Sequence, residues 1–153
     1  MARPALNTIR GMRIAIASDH AGFELKEHVK AGLQSAGHDV VDVGPETDAS
    51  TDYPRYARPA ARLVAEGDAE RGVLVCGSGV GVAIVANKVP GVRAVNAHDA
   101  EEAQLSRAHN DANVVTLSGR RLDGPTADEI VRTFIESEFE GGRHARRVAL
   151  IEE

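Results

Sequence analysis

The chain has 153 residues, of which 42% are hydrophobic and 27% charged, with a formal net charge of -5. This is the composition of an ordinary globular protein, and its acidic balance argues against general nucleic-acid binding, so an anionic ligand would need a local basic cluster. One cysteine excludes a disulfide framework and a multi-cysteine zinc site and fits a reducing, cytoplasmic compartment, while no apolar run approaches the roughly 20 residues that span a bilayer.

Residues 1–11 lack the apolar stretch of a secretory signal and read as a loose extension, leaving 12–153 as a single domain. The run from Arg13 to Ala17 reads as a buried first strand, followed by Ser18-Asp19-His20-Ala21-Gly22. Phe23, Leu25, Val29 and Leu33 then mark a helical face that ends near Gly37. His38 to Val43 is a second strand, stopped by Gly44-Pro45, and a polar loop leads to Tyr53-Pro54. Pro54 suits the first turn of a helix that carries Ala57, Ala60, Ala61 and Val64.

The third strand, Val73 to Val75, closes at Cys76, and glycines follow at 77, 79 and 81. Val82 to Lys88 reads as a short apolar helix. Val92 to Ala97 is a fourth strand, Asp99 opens a helix through Ala108, and Val114 to Leu117 is a fifth strand leading to Ser118-Gly119-Arg120. Pro125 begins a helix with apolar positions at Ile130, Val131, Phe134 and Ile135, before a basic segment from Arg143 to Arg147. Strands alternating with helices, several apolar on both faces, predict an α/β fold. Its centre is a five-stranded parallel sheet, covered on both sides as in a three-layer, Rossmann-like sandwich.

The stretch from Gly72 to Lys88 places a glycine loop at the carboxyl end of a strand, where open α/β sheets bind ligands. The spacing is not the dinucleotide fingerprint, whose third glycine comes one place later and after the first strand. It is not a phosphate loop of the Walker kind either, since Lys88 lies too far along. What remains is a cradle for a smaller anion, or simply a tight turn. Cys76 could be a buried filler, but a thiol at such a loop is also placed to ionise. Asp19-His20 closes the first strand, which should lie beside the third, so carboxylate, imidazole and thiol could meet at one sheet edge; Asp19 could equally cap a helix. Arg143 and Arg147 would share a helix face and could clamp a phosphate, or form a solvated basic tail. Arg120 follows the fifth strand at the edge where Cys76 lies, and His109-Asn110 ends the fourth helix.

Six blocks in order carry a resemblance. They are Ser-Asp-His-Ala-Gly (18–22), Thr-Asp-Tyr-Pro (51–54), Cys-Gly-Ser-Gly-Val-Gly (76–81), Ala-Asn-Lys (86–88), Leu-Ser-Arg-Ala-His-Asn-Asp-Ala-Asn (105–113) and Gly-Gly-Arg-His-Ala-Arg-Arg-Val (141–148). Together they make the chain resemble the ribose/galactose isomerase family, in its type B ribose-5-phosphate isomerase branch. The resemblance implies a metal-independent aldose–ketose isomerase of sugar phosphates that needs no cofactor. It also implies a homodimer or a dimer of dimers. Cys76 resembles the base that moves a proton between C2 and C1, and His109 the group that opens the furanose ring. Asp19, His20, Tyr53, Asn110 and the loop Gly77, Ser78, Gly79, Val80 and Gly81 match substrate-binding positions, with Ser78 and Asp19 also among the catalytic groups. Arg120, Arg143 and Arg147 match phosphate ligands. One branch of the family carries serine in place of this cysteine and a glutamate in the loop; Cys76 and Val80 mark the thiol type. The topology adds one expectation: Cys76 follows a strand and His109 ends a helix, which are opposite edges of such a sheet. His109 is therefore expected to serve the thiol of a neighbouring subunit. A six-carbon sugar phosphate as substrate, or a phosphosugar-binding protein without activity, are the alternatives.

Overall fold

The computed structural model describes residues 11–153, so most of the expected N-terminal extension lies outside the described residues. In chain order the elements are β1 (Arg13–Ser18), α1 (Phe23–Ser35), β2 (Asp39–Gly44), α2 (Tyr53–Ala65), β3 (Arg71–Cys76) and α3 (Val80–Asn87). They continue with β4 (Ala94–Asn96), α4 (Ala100–Asn110), β5 (Val114–Ser118), α5 (Gly124–Glu136) and α6 (Arg143–Ile151). All strand pairs are parallel, in the order β2-β1-β3-β5-β4.

The two faces of the sheet follow from alternation along each strand. Ile14, Ile16, Val73, Val75, Val115 and Leu117 point to one side, onto a core that includes Leu25 and Val29 of α1 and Ile130 and Phe134 of α5. Ala15, Ala17, Leu74, Cys76 and Val114 point to the other, where Ala57, Ala60 and Ala61 of α2 and Val82, Val85 and Ala86 of α3 cover them. The small residues of α2 let it lie close to the sheet. Because β1 is followed by a crossover in one direction and β3 by one in the other, the chain reverses between them. That gap between β1 and β3 is the topological switch point where sheets of this kind leave a crevice at their carboxyl ends.

Two differences from the sequence expectation have a local reason, while β2, β3 and β5 lie within two residues of their expected bounds. α3 starts at Val80, two residues before the apolar run suggested, because Gly79 takes a left-handed conformation (φ 78°) that ends the loop at once. β4 is only three residues long. The Arg93 N–H is committed to the Asn113 side chain, which accepts it at 2.8 Å, while the Arg93 carbonyl accepts from Asn113 N at 2.9 Å and Val114 N at 3.3 Å. Of the two readings of the basic segment after α5, the helix is the one observed: α6, packed against α4.

Candidate active site

Three turns converge at the carboxyl ends of β1, β3 and β5. Asp19 N–H donates to Val75 O at 3.2 Å, Gly119 N–H to Cys76 O at 2.8 Å and Arg120 N–H to Gly77 O at 3.2 Å. The turn after β1 presses so closely on β3 that a Cβ on Gly22 would stand 2.6 Å from the Val75 carbonyl. Glycine is the residue that permits this approach. Asp19 is buried, and its Oδ1 accepts from Gly22 N at 2.9 Å; the N-cap of α1 is Gly22, so Asp19 braces the turn before the helix rather than capping it. His20 is exposed, and its Nδ1 accepts from Thr51 N at 3.2 Å, which ties the loop before α2 to this edge. Tyr53, at the start of α2, then lies over Gly81, where an added Cβ would meet its ring at 2.6 Å. Arg120 lies over Gly77 in the same way, its guanidinium 3.1 Å from the position a Cβ would take.

The thiol sits beneath this group. Cys76 is 4% exposed and belongs to the core under α2 and α3, so the sulfur reaches the edge from below rather than standing free on the surface. Gly79 N–H donates to Cys76 Sγ at 3.2 Å, which ties the sulfur to the loop. The rest of the loop is held from β4 and β5. Ser118 Oγ donates to Gly77 O at 2.6 Å, Asn96 Nδ2 to Ser78 O at 3.3 Å and Thr116 Oγ1 to Gly79 O at 2.7 Å. A planar trans peptide points its N–H opposite its carbonyl. With the Gly77 carbonyl drawn to Ser118, the Ser78 N–H therefore faces the other way. Val80 N–H donates to Ser78 Oγ at 3.1 Å, which leaves the hydroxyl hydrogen free to point elsewhere. Gly81 and Val82, in the first turn of α3, have no acceptor within the helix for their N–H groups. The loop thus combines a buried sulfur with several amides and one hydroxyl, the donor set that an oxyanion requires.

Gly79 is the keystone of that arrangement, because a side chain there would collide with Asn96 Oδ1 as well as adopt positive φ. Gly79→Ala is expected to destabilise the fold by about 1–2 kcal/mol, the cost of a left-handed alanine. It should also lower turnover, by moving the amide off the sulfur. Thermal melts and steady-state kinetics of the variant check both.

The remaining sequence-predicted residues form a second group. His109 and Asn110 close α4, while Arg143 and Arg147 are exposed on α6. The His109 ring stacks on that of His144, with centroids 4.3 Å apart and planes 16° from parallel. Glu140 approaches both, its Oε1 3.8 Å from His109 Nε2 and 3.6 Å from His144 Nε2. Burial pushes the pKa of His144 below the ordinary histidine value, helped by the positive neighbours His109, Arg143 and Arg147 and opposed by Glu140. Among the described residues no hydrogen bond or ion pair joins this group to the Cys76 group. The three predicted phosphate ligands are accordingly divided: Arg120 lies over the glycine loop, whereas Arg143 and Arg147 accompany His109.

Sequence reasoning missed Thr116, Ser118 and Asn96, which position the glycine loop, and His144, which stacks on His109. Thr116 reads as an ordinary member of a buried strand, and Ser118 as the first residue after it. Their only signal is a hydroxyl near the carboxyl end of a strand next to the loop.

The ribose/galactose isomerase family model matches residues 14–151. The chain is 44% identical over 139 residues to ribose-5-phosphate isomerase B of Escherichia coli, covering 91% of this chain and 93% of that one. Among solved structures it is similar to a ribose 5-phosphate isomerase of Thermotoga maritima, with a TM-score of 0.90 and 44% identity over 92% of this chain and 97% of that one. It is also similar to ribose-5-phosphate isomerase B of Mycoplasma genitalium with bound ribulose-5-phosphate, with a TM-score of 0.88 and 42% identity over 93% and 95% of the two chains. With a glycine loop on a buried thiol at the sheet's switch point, and a match that runs almost end to end, the chain belongs to the ribose/galactose isomerase family and is an aldose–ketose isomerase.

Proposed function

We propose that this enzyme interconverts ribose 5-phosphate and ribulose 5-phosphate in the cytoplasm, using Cys76 as the base and His109 of a neighbouring subunit to open the sugar ring. The observation that carries the reading is the Gly79 N–H directed at Cys76 Sγ at 3.2 Å, at the one edge where Asp19, His20, Tyr53 and Arg120 also gather. The names of the relatives, and the ribulose-5-phosphate bound to the Mycoplasma genitalium protein, support the choice of a pentose.

The steps follow from the groups available. His109 gives a proton to the ring oxygen while the anomeric hydroxyl loses one, which yields the open aldehyde; an imidazole exchanges protons near neutrality. The Cys76 thiolate takes the proton from C2, and charge accumulates on O1. The Ser78 N–H and hydroxyl, with the amides of the first turn of α3, stabilise that oxygen without reorganising. The sulfur returns its proton to C1 while the O2 proton passes to O1, and the ketose results. Asp19, His20 and Asn110 hold the hydroxyls, Tyr53 walls the site, and Arg120, Arg143 and Arg147 neutralise the phosphate. No step calls on a metal or a cofactor.

The division of residues into two groups supports an active site shared between subunits. Large apolar side chains also stand exposed on the relevant helices: Val80 and Ile84 on α3, Leu105 on α4, Leu150 and Ile151 on α6. A cavity of 580 Å³ bounded by Asn87, Val95, Ser106, Asn110 and Ile151 opens on this side of the molecule. A homodimer would bury this surface and bring the second group of one protomer to the thiol of the other.

A coupled assay of the purified protein on ribose 5-phosphate and allose 6-phosphate tests the reading. The pentose is expected to be turned over faster, at a rate that EDTA does not lower. Preference for the hexose phosphate would reassign the substrate, and turnover of neither would favour a phosphosugar-binding protein.

A further inference from the structure

The cluster of His109, Glu140 and His144 has a composition that sugar isomerisation does not require. Two imidazoles and one carboxylate offer ligand atoms all within 4.8 Å of one another. Glu140 Oε1 lies 3.6 Å from one ring nitrogen and 3.8 Å from the other. Zinc bonds of about 2.0–2.2 Å place tetrahedral ligand atoms about 3.3–3.6 Å apart, so the carboxylate oxygen is already within a few tenths of an ångström of the required spacing. The backbone holds the cluster in place: Glu140 N–H donates to Ala108 O at 3.0 Å, which docks the loop before α6 onto the last turn of α4, and His144 N–H donates to Gly141 O at 3.0 Å. His144 is nearly enclosed, whereas the side chains of His109 and Glu140 are 40% and 57% exposed and free to adjust. The widest ligand-atom separation, up to 4.8 Å, must close by about 1 Å, which falls to the more exposed His109 and Glu140 side chains.

We propose that His109, Glu140 and His144 form a binding site for a divalent transition-metal ion, zinc being the simplest case, and that its occupancy blocks the ring-opening histidine. Two histidines, one carboxylate and an open fourth position are a donor set that zinc accepts, with water or a phosphate oxygen completing the sphere. A hard ion such as magnesium prefers oxygen ligands and is excluded by the two nitrogens. Arg143 and Arg147 lie on the helix that carries His144 and oppose a cation there, which weakens the site and makes the metal a reversible occupant rather than a resident one. With its Nε2 bound to metal, His109 cannot hold or release a proton at that nitrogen, the one that faces Glu140, so the enzyme would be inhibited without any contact at Cys76. This blocking effect rests on the isomerase reading above, whereas the binding itself does not.

The test begins with the metal alone on Cys76→Ser protein, which removes the thiol as a competing zinc ligand. Equilibrium dialysis should find one zinc per chain, and Glu140→Gln added to that background should weaken binding by more than about tenfold, since loss of even an outer partner costs that much. Circular dichroism confirms that the exposed Glu140→Gln change leaves the fold intact. Cobalt in place of zinc should give the intense visible bands of a four-coordinate nitrogen and oxygen site with no sulfur-to-metal charge transfer. With Cys76 present, zinc should inhibit isomerisation reversibly, and Glu140→Gln should need correspondingly more zinc for the same fractional inhibition. Absence of stoichiometric zinc in the Cys76→Ser protein, or equal affinity after Glu140→Gln, overturns the site. Zinc bound as expected but without effect on turnover overturns the blocking role alone. Binding as expected, with no isomerase activity in the protein that retains Cys76, overturns the functional reading and leaves the metal site standing.

Discussion

Cys76→Ala is expected to lower kcat for ribose 5-phosphate by about a thousandfold or more, within the span that a positioned acid–base group contributes, while KM changes little. The sulfur contributes nothing else that the substrate needs for binding. It sits under the loop, 4% exposed, and on the proposed reading the groups that hold the substrate are amides, the Ser78 hydroxyl, Asp19, His20 and Arg120. Removing one buried sulfur also leaves a small void against Val82 and Leu74, so the variant's melting temperature should be measured beside its kinetics. Near wild-type turnover in a folded Cys76→Ala protein would remove the thiol from the mechanism. A large rise in KM with kcat unchanged would make it a binding residue instead.

Mixing inactive subunits gives the second large effect. Cys76→Ala and His109→Ala proteins should each be nearly inactive alone. If the site takes Cys76 from one protomer and His109 from the other, a mixed two-fold dimer carries one site with both defects and one with neither. Random exchange makes half of the dimers mixed, so about a quarter of wild-type activity should return. The separation of the two residue groups in one protomer is the structural basis for this expectation: Cys76 closes β3 at the carboxyl edge of the sheet, and His109 closes α4, whose stacking partner is on α6. No recovery after confirmed subunit exchange would mean that both residues act within one chain.

The parts of the fold that sequence reasoning reached are those with a one-dimensional signature. Val73 to Val75 followed by alternating glycines can be little other than a buried strand and a tight loop, and the loop stands where that pattern puts it, between β3 and α3. Arg120 was placed correctly because a residue just after a neighbouring parallel strand must reach the same edge. The start of α3 was missed by two residues because apolar periodicity carries no information about Gly79 adopting positive φ. β4 was overextended for a related reason: the Arg93 N–H is taken by the side chain of Asn113, on the far side of α4, while its carbonyl still accepts from Val114 N. The stacking of His109 on His144 was out of reach, since it joins two helices that are distant in sequence and packed only in the fold. Ser118 and Thr116 illustrate the same limit. Their hydroxyls orient the loop that holds the thiol, yet in the sequence Thr116 is a lone polar residue in an apolar strand and Ser118 merely follows it.

Transfer of hydrogen in heavy water interrogates the sulfur most directly. When ribose 5-phosphate is converted in D2O, a single thiol that takes the C2 proton and exchanges it with solvent should leave deuterium at C1 of the ribulose 5-phosphate, visible by proton NMR. Cys76→Ala protein given the same substrate should show no deuterium in either sugar beyond the uncatalysed background, although it still binds the phosphate. Deuterium entering the sugar at the wild-type rate without that sulfur would contradict the account.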